Sequence, residues 1–346
     1  MLSLVGLGTL MIYSATFQTE SSTLYIKQLQ WCALAMVLFF ILLNIDYHVL
    51  VDFSLLFYVL SLVLLVAVLF FGKRISGAKS WFSLGYFNFQ PSEIAKLASI
   101  LLLGRYLSQE SRTHLTLKDL TISGLIMGVP MFLIILQPDM GTTLTFLPPL
   151  ILLLFLAGIR YKWILVAILS GIASLPVFWL FLKQYQKNRI LTFLDPSIDP
   201  LGSGYQIIQS KIAVGSGQIL GKGLFSKATQ AYLDYIPEKH TDFVYSILAE
   251  DFGLIGVTVG FALYLILIFR MLNTAKQARD RAGTFIVMGI LAVFFFHILV
   301  NIGMIVGLMP ITGLPLPLMS YGGSSLLSTI VGLAIVMNIR MRRFVN

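Results

Sequence analysis

A glycine-rich polar stretch from Gly202 to Asp251 carries the side chains of this sequence that could do chemistry. It contains the triplet His240-Thr241-Asp242 and lies between long apolar segments. A chain that places this much polarity between apolar segments is expected to do its chemistry there, and Asp242 is the candidate for the central residue. The sequence has no G-x-S-x-G nucleophile elbow and no H-E-x-x-H or C-x-x-C pattern. It therefore indicates neither covalent catalysis nor a metal site.

Asp242 has a second interpretation, because it stands where an apolar segment begins. An acidic residue at a helix start can cap the helix and interact with its dipole, which would hold the pKa of the carboxyl group down. Glu250 follows two helical turns later on roughly the same face, about 12 Å along the axis. Such a column of acids exceeds what a cap requires, and the sequence leaves both interpretations open.

Glu93 and Lys96 form a second candidate pair, in an apolar segment that begins near Pro91. Their i, i+3 spacing places them one turn apart on a helix. They either neutralise each other near the membrane boundary or form the polar wall of a cavity, since ionisable groups within spans usually face a cavity or a partner. Asp139, in the sequence LQPDMGT, is interpreted as a structural residue that caps the next helix.

Other candidates lie in the long polar loop and in the loop before the last apolar segment. Segment 204–213 is predicted to be a short amphipathic helix, with Gln209 on its polar face. Gly215 and Gly217 are either flexible turns or positions where backbone N–H groups approach an anion. The further candidates for substrate binding are Lys211, Lys239, His240, Ser320 and Tyr321. The remaining histidines are isolated along the chain and are given no role: His48, His114 and His297.

The composition requires that these residues be positioned by membrane-spanning helices. The chain has 346 residues, of which 58% are hydrophobic and 11% charged, and its mean hydropathy is +0.89. Soluble domains carry roughly 25% charged residues. The net charge of +9 does not indicate nucleic acid, because Lys and Arg flanking the spans explain much of it. Cys32 is the only cysteine, so no intrachain disulfide can form.

The apolar segments predict an all-α polytopic protein with about ten transmembrane helices in one integral-membrane domain, residues 1–346. Segments of this length without alternation exclude barrel strands. A long loop, residues 183–242, separates the seventh and eighth spans. The predicted spans are 1–16, 28–45, 52–71, 92–107, 119–137, 142–159, 163–182, 243–269, 284–307 and 323–340.

Loop charges predict the orientation of these spans. The loops on one side carry twelve Lys and Arg residues, whereas the short loops on the other side carry four, and short loops rich in Lys and Arg stay in the cytoplasm. We therefore expect both termini in the cytoplasm and the long loop outside. The twelve are Arg105, Arg112, Lys118, Arg160, Lys162, Arg270, Lys276, Arg279, Arg281, Arg340, Arg342 and Arg343.

Five stretches of the chain, in order, carry a family resemblance: FNFQPSEIAK, LQPDMGT, DPLGSGYQIIQSKIAVGSG, YIPEKHTDFVYSILAED and PLPLMSYGGSS. Together they resemble the SEDS family, whose name stands for shape, elongation, division and sporulation. The resemblance runs from about residue 25 to 340. The variant IIQSKIAVGSG and the Pro315-Leu316-Pro317 segment are more similar to the elongation branch than to the division branch.

The resemblance implies a peptidoglycan glycosyltransferase that polymerises lipid II outside the bacterial cytoplasmic membrane during cell elongation. It implies a class B penicillin-binding protein, a transpeptidase, as membrane partner, and work with the elongation machinery. Asp242 matches the essential acid of the family, and Glu93 and Lys96 match residues that line its central cavity. No cofactor is expected, and a requirement for a divalent cation stays open.

The reaction that the resemblance implies suits the residues available. The donor sugar leaves a lipid diphosphate, so the leaving group needs cations, for which Lys96, Lys211 and Lys239 are candidates. The acceptor hydroxyl needs a base, which Asp242 would provide for a gain of roughly 10²–10⁴-fold. An α-linked donor that gives a β-linked product implies inversion, which requires no covalent intermediate.

Three alternatives remain at this stage. A lipid II flippase also uses ionisable groups and helix breaks inside a membrane. A scaffold without activity would leave Asp242 replaceable, and a polymerase of the division branch would share most of these motifs. For the partner, the Gly256 and Gly260 pair in the eighth span predicts a small-residue face for helix packing.

Overall fold

The computed structural model describes residues 1–17, 23–75, 78–84, 87–109, 115–182, 184–200 and 202–344. Arg112 of the charge count and His114 lie outside the described residues. The helices are α1 Leu2–Thr16, α2 Leu24–Asn44, α3 Tyr47–Asp52, α4 Ser54–Phe71, α5 Pro91–Gln109, α6 Leu117–Ile135, α7 Met140–Leu144, α8 Leu147–Leu156, α9 Tyr161–Phe181, α10 Gln184–Leu194, α11 Ser203–Ser216, α12 Val244–Lys276, α13 Arg281–Ile305 and α14 Gly323–Met341. The strands are β1 Lys73–Ile75, β2 Ala78–Leu84 and β3 Phe87–Phe89.

Six of the described helices are long and apolar enough to cross a membrane: α2, α4, α6, α12, α13 and α14. Three apolar segments are shorter: α1, Met140–Leu156, which comprises α7 and α8, and Tyr161–Ser174, which is the first part of α9. Helix α5 carries Glu93, Lys96 and Arg105 within its length. The fold is therefore that of a mostly helical, multi-pass membrane protein. The count of ten spans stays a prediction.

The centre of the bundle is formed by α13 and α14, the most deeply buried of the candidate spans. Small residues allow the helices to approach closely at their crossings. A Cβ atom on Gly104 of α5 would lie 3.0 Å from Ile286 of α13, and one on Gly332 of α14 would lie 3.2 Å from Ile290. The helices that carry Glu93, Lys96 and His297 are thus held rigidly against each other.

Helix α12 is broken at Gly253, whose φ of 62° and ψ of −155° are not helical. The hydroxyl of Tyr245 donates a hydrogen bond to the carbonyl of Val257 at 2.7 Å, across the break. Two residues so far apart in one straight helix could not meet, so residues 244–252 fold back along residues 254–276. The remaining 23 residues are about 34 Å long, which suffices to span the membrane. The predicted eighth span, 243–269, is therefore wrong at its start.

The folded-back half of α12 covers the Gly256 and Gly260 face of the same helix. A Cβ atom on Gly256 would lie 2.4 Å from Phe252, and one on Gly260 would lie 3.1 Å from both Leu248 and Tyr245. These glycines are buried by their own chain, so the predicted partner face is wrong. They allow the tight hairpin instead.

The segment between α13 and α14, residues 306–322, is a second irregular element that enters the bundle. The hydroxyl of Tyr264 in α12 donates to the carbonyl of Pro317 at 2.7 Å, and His297 of α13 contacts the carbonyl of Pro315 at 3.1 Å. His297 lies two turns inside the end of α13 at Ile305. We call residues 306–322 the re-entrant loop. Non-helical backbone at this depth is tolerated because protein groups satisfy its polar atoms.

Both irregular elements lie at one face of the bundle, which we call the loop face, together with α11 and residues 217–243. The opposite face, where α12 ends at Lys276 and α13 begins at Arg281, is called the basic face. The loop face also carries the small antiparallel sheet, in the strand order β1-β2-β3. Lys79 of β2 fixes this sheet to the end of α4, because its ammonium group donates to the carbonyls of Leu69 and Phe70.

Candidate active site

Asp242 ends the long segment that follows α11, two residues before the folded-back half of α12 begins. The N-cap of α12 is Phe243, which makes no side-chain cap. The Asp242 carboxylate therefore does not cap the helix, and the capping interpretation is wrong. Its backbone carbonyl accepts a hydrogen bond of 3.0 Å from the side chain of Asn301 in α13.

Asp242 is half-buried at the loop face. Asn301, which holds its backbone, is four residues from the end of α13 at Ile305, about 6 Å along the helix axis. The carboxylate is approached past Gly313 of the re-entrant loop, which is exposed. A Cβ atom on Gly313 would lie 3.8 Å from Oδ2 of Asp242, so the missing side chain leaves room in front of the carboxylate.

The surroundings of Asp242 raise its pKa to about 6. Burial is the main cause and the negative charge of Glu238 adds to it, whereas Arg189 and Thr241 oppose it. A carboxylate with a pKa near 6 is ionised at neutral pH and is a stronger base than an ordinary aspartate.

Arg189 of α10 is a charged residue that the sequence analysis missed. It is half-buried, and its guanidinium group is close enough to Asp242 to lower the pKa of the carboxyl group. Its position depends on how α10 folds back over the site, which no local spacing encodes. A lone Arg in a polar loop gives no signal by itself.

Glu93 and Lys96 form a buried ion pair, with 2.7 Å between Lys96 Nζ and Glu93 Oε1. The hydroxyl of Ser328 in α14 donates to the other carboxylate oxygen of Glu93. Nε2 of His297 lies 3.4 Å from Lys96 Nζ. His297 was given no role by the sequence analysis, because its neighbours come from two distant helices and from the re-entrant loop.

These groups form the polar end of a cavity between α5, α13 and α14. Apolar side chains such as Ile100, Phe294 and Leu333 line the rest. Asp242 does not line this cavity. Pro317 of the re-entrant loop does, so the loop separates the cavity from the Asp242 carboxylate.

The two candidate lysines of the long loop have different surroundings. Lys239 is buried, and its ammonium group donates to the carbonyl of Ala231 at 2.8 Å and pairs with Asp234 at 2.9 Å. These contacts make Lys239 an anchor within the loop and do not favour a role with the leaving group. Lys211 is exposed on α11 and lies against Gly307, where an added Cβ atom would meet its side chain.

Glu250 is fully buried in the folded-back half of α12 and anchors the preceding loop. Its carboxylate pairs with Lys222 at 2.6 Å and accepts hydrogen bonds from the backbone of Gln230 at 2.9 Å and from Ser216 at 3.3 Å. With its carboxylate engaged by this loop, Glu250 is a structural residue in these contacts.

The glycines of the loop differ in their surroundings. A Cβ atom on Gly217 would lie 1.9 Å from the carbonyl oxygen of Ala249, whereas one on Gly215 would meet nothing within 4 Å. Close backbone packing against the α12 hairpin thus requires a glycine at position 217. The predicted helix at 204–213 is confirmed as α11, where Gln209 is half-buried.

Tyr321 and Ser320 are the two candidates in the re-entrant loop, and Tyr321 joins the loop to the His240-Thr241-Asp242 triplet. The backbone N–H of Tyr321 donates to the carbonyl of His240 at 2.9 Å, and the two rings meet edge to face with centroids 5.8 Å apart. The hydroxyl of Ser320 accepts from the backbone of Leu316 at 2.9 Å and closes a turn of the loop.

Asp139 lies at the start of the short helix α7. Its carboxylate accepts from the backbone N–H of Thr142 at 3.1 Å and from the side chain of Gln90 at 3.1 Å. These contacts make it a helix cap that also joins α7 to the start of α5. Among the residues that the structure describes, no three His, Cys, Asp or Glu side chains are grouped so as to hold a metal ion.

The chain is similar to known proteins over its whole length. The profile of the cell cycle protein family of FtsW, RodA and SpoVE matches residues 1–344. The peptidoglycan glycosyltransferase MrdB of Escherichia coli (strain K12) is 39% identical over 344 residues, which cover 99% of this chain and 92% of the relative. The peptidoglycan glycosyltransferase RodA of Treponema pallidum (strain Nichols) is 32% identical, with 99% of this chain and 96% of the relative covered.

Solved structures show the same fold. A chain of a peptidoglycan synthase complex, solved to show how polymerization and crosslinking are coordinated, matches with a TM-score of 0.86 and 32% identity. The match covers 100% of this chain and 96% of that one. The rod shape determining protein RodA of Thermus thermophilus matches with a TM-score of 0.74 and 29% identity, covering 100% and 95% of the two chains.

Proposed function

The chain belongs to the FtsW, RodA and SpoVE family of cell cycle proteins, and on that premise we propose that it is a peptidoglycan glycosyltransferase that uses Asp242 as its general base. The predicted family and its RodA-like character are confirmed by these relatives. Lipid II is the proposed substrate. The observation that carries the proposal is the carboxylate of Asp242, which is half-buried and does not cap α12. It has a pKa of about 6 and faces open space at Gly313.

In the proposed step, Asp242 takes the proton of the acceptor sugar's hydroxyl group as the oxygen attacks C1 of the donor sugar. The bond between C1 and the diphosphate oxygen breaks, and the lipid diphosphate leaves with the bonding electrons. One displacement inverts the configuration at C1, so no enzyme nucleophile is needed. A half-buried base with a raised pKa suits this role, because it is ionised at neutral pH and accepts the proton readily.

Two cations of the loop face are the best candidates to stabilise the leaving diphosphate. Arg189 lies in the electrostatic field of Asp242, and a guanidinium group binds phosphate oxygens in a bidentate way. Lys211 lies exposed at the edge of the same face. Lys96, in contrast, is paired with Glu93 behind the re-entrant loop.

The proposed site is the outer side of the bacterial cytoplasmic membrane, with the loop face outside and both termini in the cytoplasm. The excess of Lys and Arg at the opposite face supports this orientation. The proposed partner is a class B penicillin-binding protein within the elongation machinery. A solved relative is a chain of a complex in which polymerization and crosslinking are coordinated, which supports such a partner.

The test is polymerisation of labelled lipid II by purified protein, with and without the partner, read as product on a gel. Asp242→Asn keeps the shape of the side chain and should lower polymerisation by at least two orders of magnitude, within the range of general-base catalysis. Asp251→Asn is the matched control, because Asp251 is a buried aspartate near the other end of the half-helix that follows Asp242, where it accepts a hydrogen bond from Ser14. Wild-type product from Asp242→Asn protein would remove Asp242 from the mechanism.

The flippase alternative has one observation in its favour. Glu93, Lys96 and His297 are ionisable groups within the bundle, at one end of an apolar cavity, as in transporters. A flippase without polymerase activity would make no product in the gel assay and would still move lipid II across vesicle membranes. A scaffold without activity would give neither product nor lipid II movement, with or without Asp242→Asn.

A further inference from the structure

Asn301 of α13 is the side chain that joins the segment bearing Asp242 to the re-entrant loop. It is fully buried. Its amide nitrogen donates to the carbonyl of Asp242 at 3.0 Å and to the carbonyl of Leu314 at 2.9 Å. Both partners are acceptors, so only the nitrogen can face them, and both amide hydrogens are used.

A second contact fixes the same short segment two residues earlier. The backbone N–H of Tyr321 donates to the carbonyl of His240 at 2.9 Å. The main chain from His240 to Asp242 is therefore held at both ends by groups of the re-entrant loop or of α13. The side chain of Asp242, at one end of this segment, is directed toward the space at Gly313.

From this geometry we propose that Asn301 is a positioning residue for the transfer reaction, which fixes the depth and direction of the Asp242 carboxylate relative to the re-entrant loop. The inference rests on the proposed role of Asp242 as base. A base acts only within hydrogen-bond distance of the proton that it takes. Two hydrogen bonds from one planar amide determine the separation of the two backbones that enclose that space.

The next residue of the same loop is also held by α13. The carbonyl of Pro315, next to Leu314, accepts from His297, which contacts Lys96 in the cavity. His297 and Asn301 are four residues apart on one face of α13, so they hold two adjacent carbonyls of the loop against the same helix. A shift of the loop away from α13 would break both bonds, so Asn301 holds the wall of the site as well as its base.

The experiment compares Asn301→Ala with Asn338→Ala in purified, full-length protein given labelled lipid II. Asn338 is the matched control, because it is a buried Asn whose amide nitrogen also donates to backbone carbonyls, among them that of Leu42 at 2.7 Å, but at the basic face. We expect Asn301→Ala to lower kcat about 10²-fold with little change in KM, as for a misplacement of about 1 Å. Asn338→Ala should lower the melting temperature and leave kcat unchanged.

A second readout separates positioning from loss of stability. In Asn301→Ala protein the acid limb of kcat should move to lower pH, because the released Asp242 becomes more hydrated. Asn301→Ser keeps one donor and should give an intermediate kcat, and it serves if Asn301→Ala does not fold. Equal loss of kcat in the Asn301 and Asn338 variants at equal loss of melting temperature would overturn the inference.

The two proposals fail in distinguishable ways. If Asp242→Asn protein polymerises normally, the general base is wrong, whatever Asn301 does. If Asp242→Asn protein is inactive while Asn301→Ala and Asn301→Ser keep the wild-type kcat and acid limb, only the positioning role is wrong.

Discussion

At the scale of single residues, the environment of Asp242 differs from what its sequence neighbours predict. A carboxylate at the start of an apolar helical segment is ordinarily interpreted as a cap with a lowered pKa. The break at Gly253 instead folds the short half-helix into the bundle, where burial raises the pKa of Asp242 to about 6. The motif identified the residue, but only the hairpin of α12 explains its basicity.

The pH dependence of kcat should report this environment. Because the base acts when ionised, the rate should rise with pH through an acid limb near 6, the pKa of Asp242. Glu238→Gln removes a negative charge that raises this pKa, so the limb should move to lower pH. Arg189→Gln removes a positive charge that lowers it, so the limb should move to higher pH.

Asp195→Asn is the control for these two variants. Asp195 is an exposed carboxylate of the same loop and accepts a hydrogen bond from the backbone N–H of Ser197. The acid limb of kcat in this variant should coincide with that of the wild type. An acid limb that stays in place in both the Glu238 and the Arg189 variants would show that a group other than Asp242 controls the rate.

The buried pair in the cavity should behave as a coupled unit. Lys96→Met leaves the Glu93 carboxylate without its cation, and breaking a buried pair costs about 3–5 kcal/mol. We therefore expect a lower melting temperature for Lys96→Met and partial recovery in the double variant Lys96→Met with Glu93→Gln. If the double variant unfolds at the same temperature as the single one, the ion pair does not contribute in the way that its 2.7 Å distance suggests.

Sequence reasoning found Glu93 and Lys96 because both lie on one helix at a spacing of three residues. His297, Ser328 and Asn301 were missed, since each comes from another helix and meets its partner only through tertiary packing. A polar residue alone in an apolar segment gives no sign of its partner. Contacts of this kind follow from the fold rather than from local pattern.

At the scale of elements, the decisive feature is the hairpin within α12. Residues 243–269 form one apolar run in the sequence, and a single glycine inside such a run does not by itself predict a break. The break is instead supported by distant backbone: the N–H of Leu254 donates to the carbonyl of Gln218 at 2.9 Å. The glycines at 217 and 221 allow this close approach. The sequence analysis interpreted the glycines of the loop only as turns or as an anion site.

Gly253→Ala should therefore disrupt the site. With a φ of 62° and a ψ of −155°, the backbone is in a region that is essentially restricted to glycine. A Cβ atom there would lie 2.5 Å from the backbone N of Gly221. We expect a strongly reduced melting temperature and loss of polymerisation, measured on detergent-purified protein.

The control for this variant is Gly124→Ala, in the middle of α6, where a Cβ atom would meet nothing within 4 Å. It should leave stability unchanged or raise it by about 0.5–1 kcal/mol, as expected for Gly to Ala in a helix. If both variants have the wild-type melting temperature, the α12 hairpin is not the conformation of the protein in the membrane.

At the scale of the whole molecule, hydropathy predicted a multi-pass helical protein but not its internal architecture. Six described helices meet the length and hydropathy expected of spans. The others are short or carry charges, because the bundle can bury ionisable groups and irregular backbone against neighbouring helices. Hydropathy is calculated for each segment separately, so it cannot show that neighbouring helices shield these groups from lipid.

The orientation of the molecule is tested by labelling single cysteines from outside intact cells. Cys32 is first replaced by Ser, since it is the only cysteine in the chain. Lys227 lies exposed in the loop before Asp242, and Lys276 lies exposed at the basic face. They are thus matched in residue type and exposure. If the loop face is outside, a membrane-impermeant maleimide should modify Lys227→Cys and should reach Lys276→Cys only after the cells are opened. The reverse pattern would place Asp242 toward the cytoplasm, where it could not polymerise a substrate presented outside, and would leave the flippase alternative with the stronger claim.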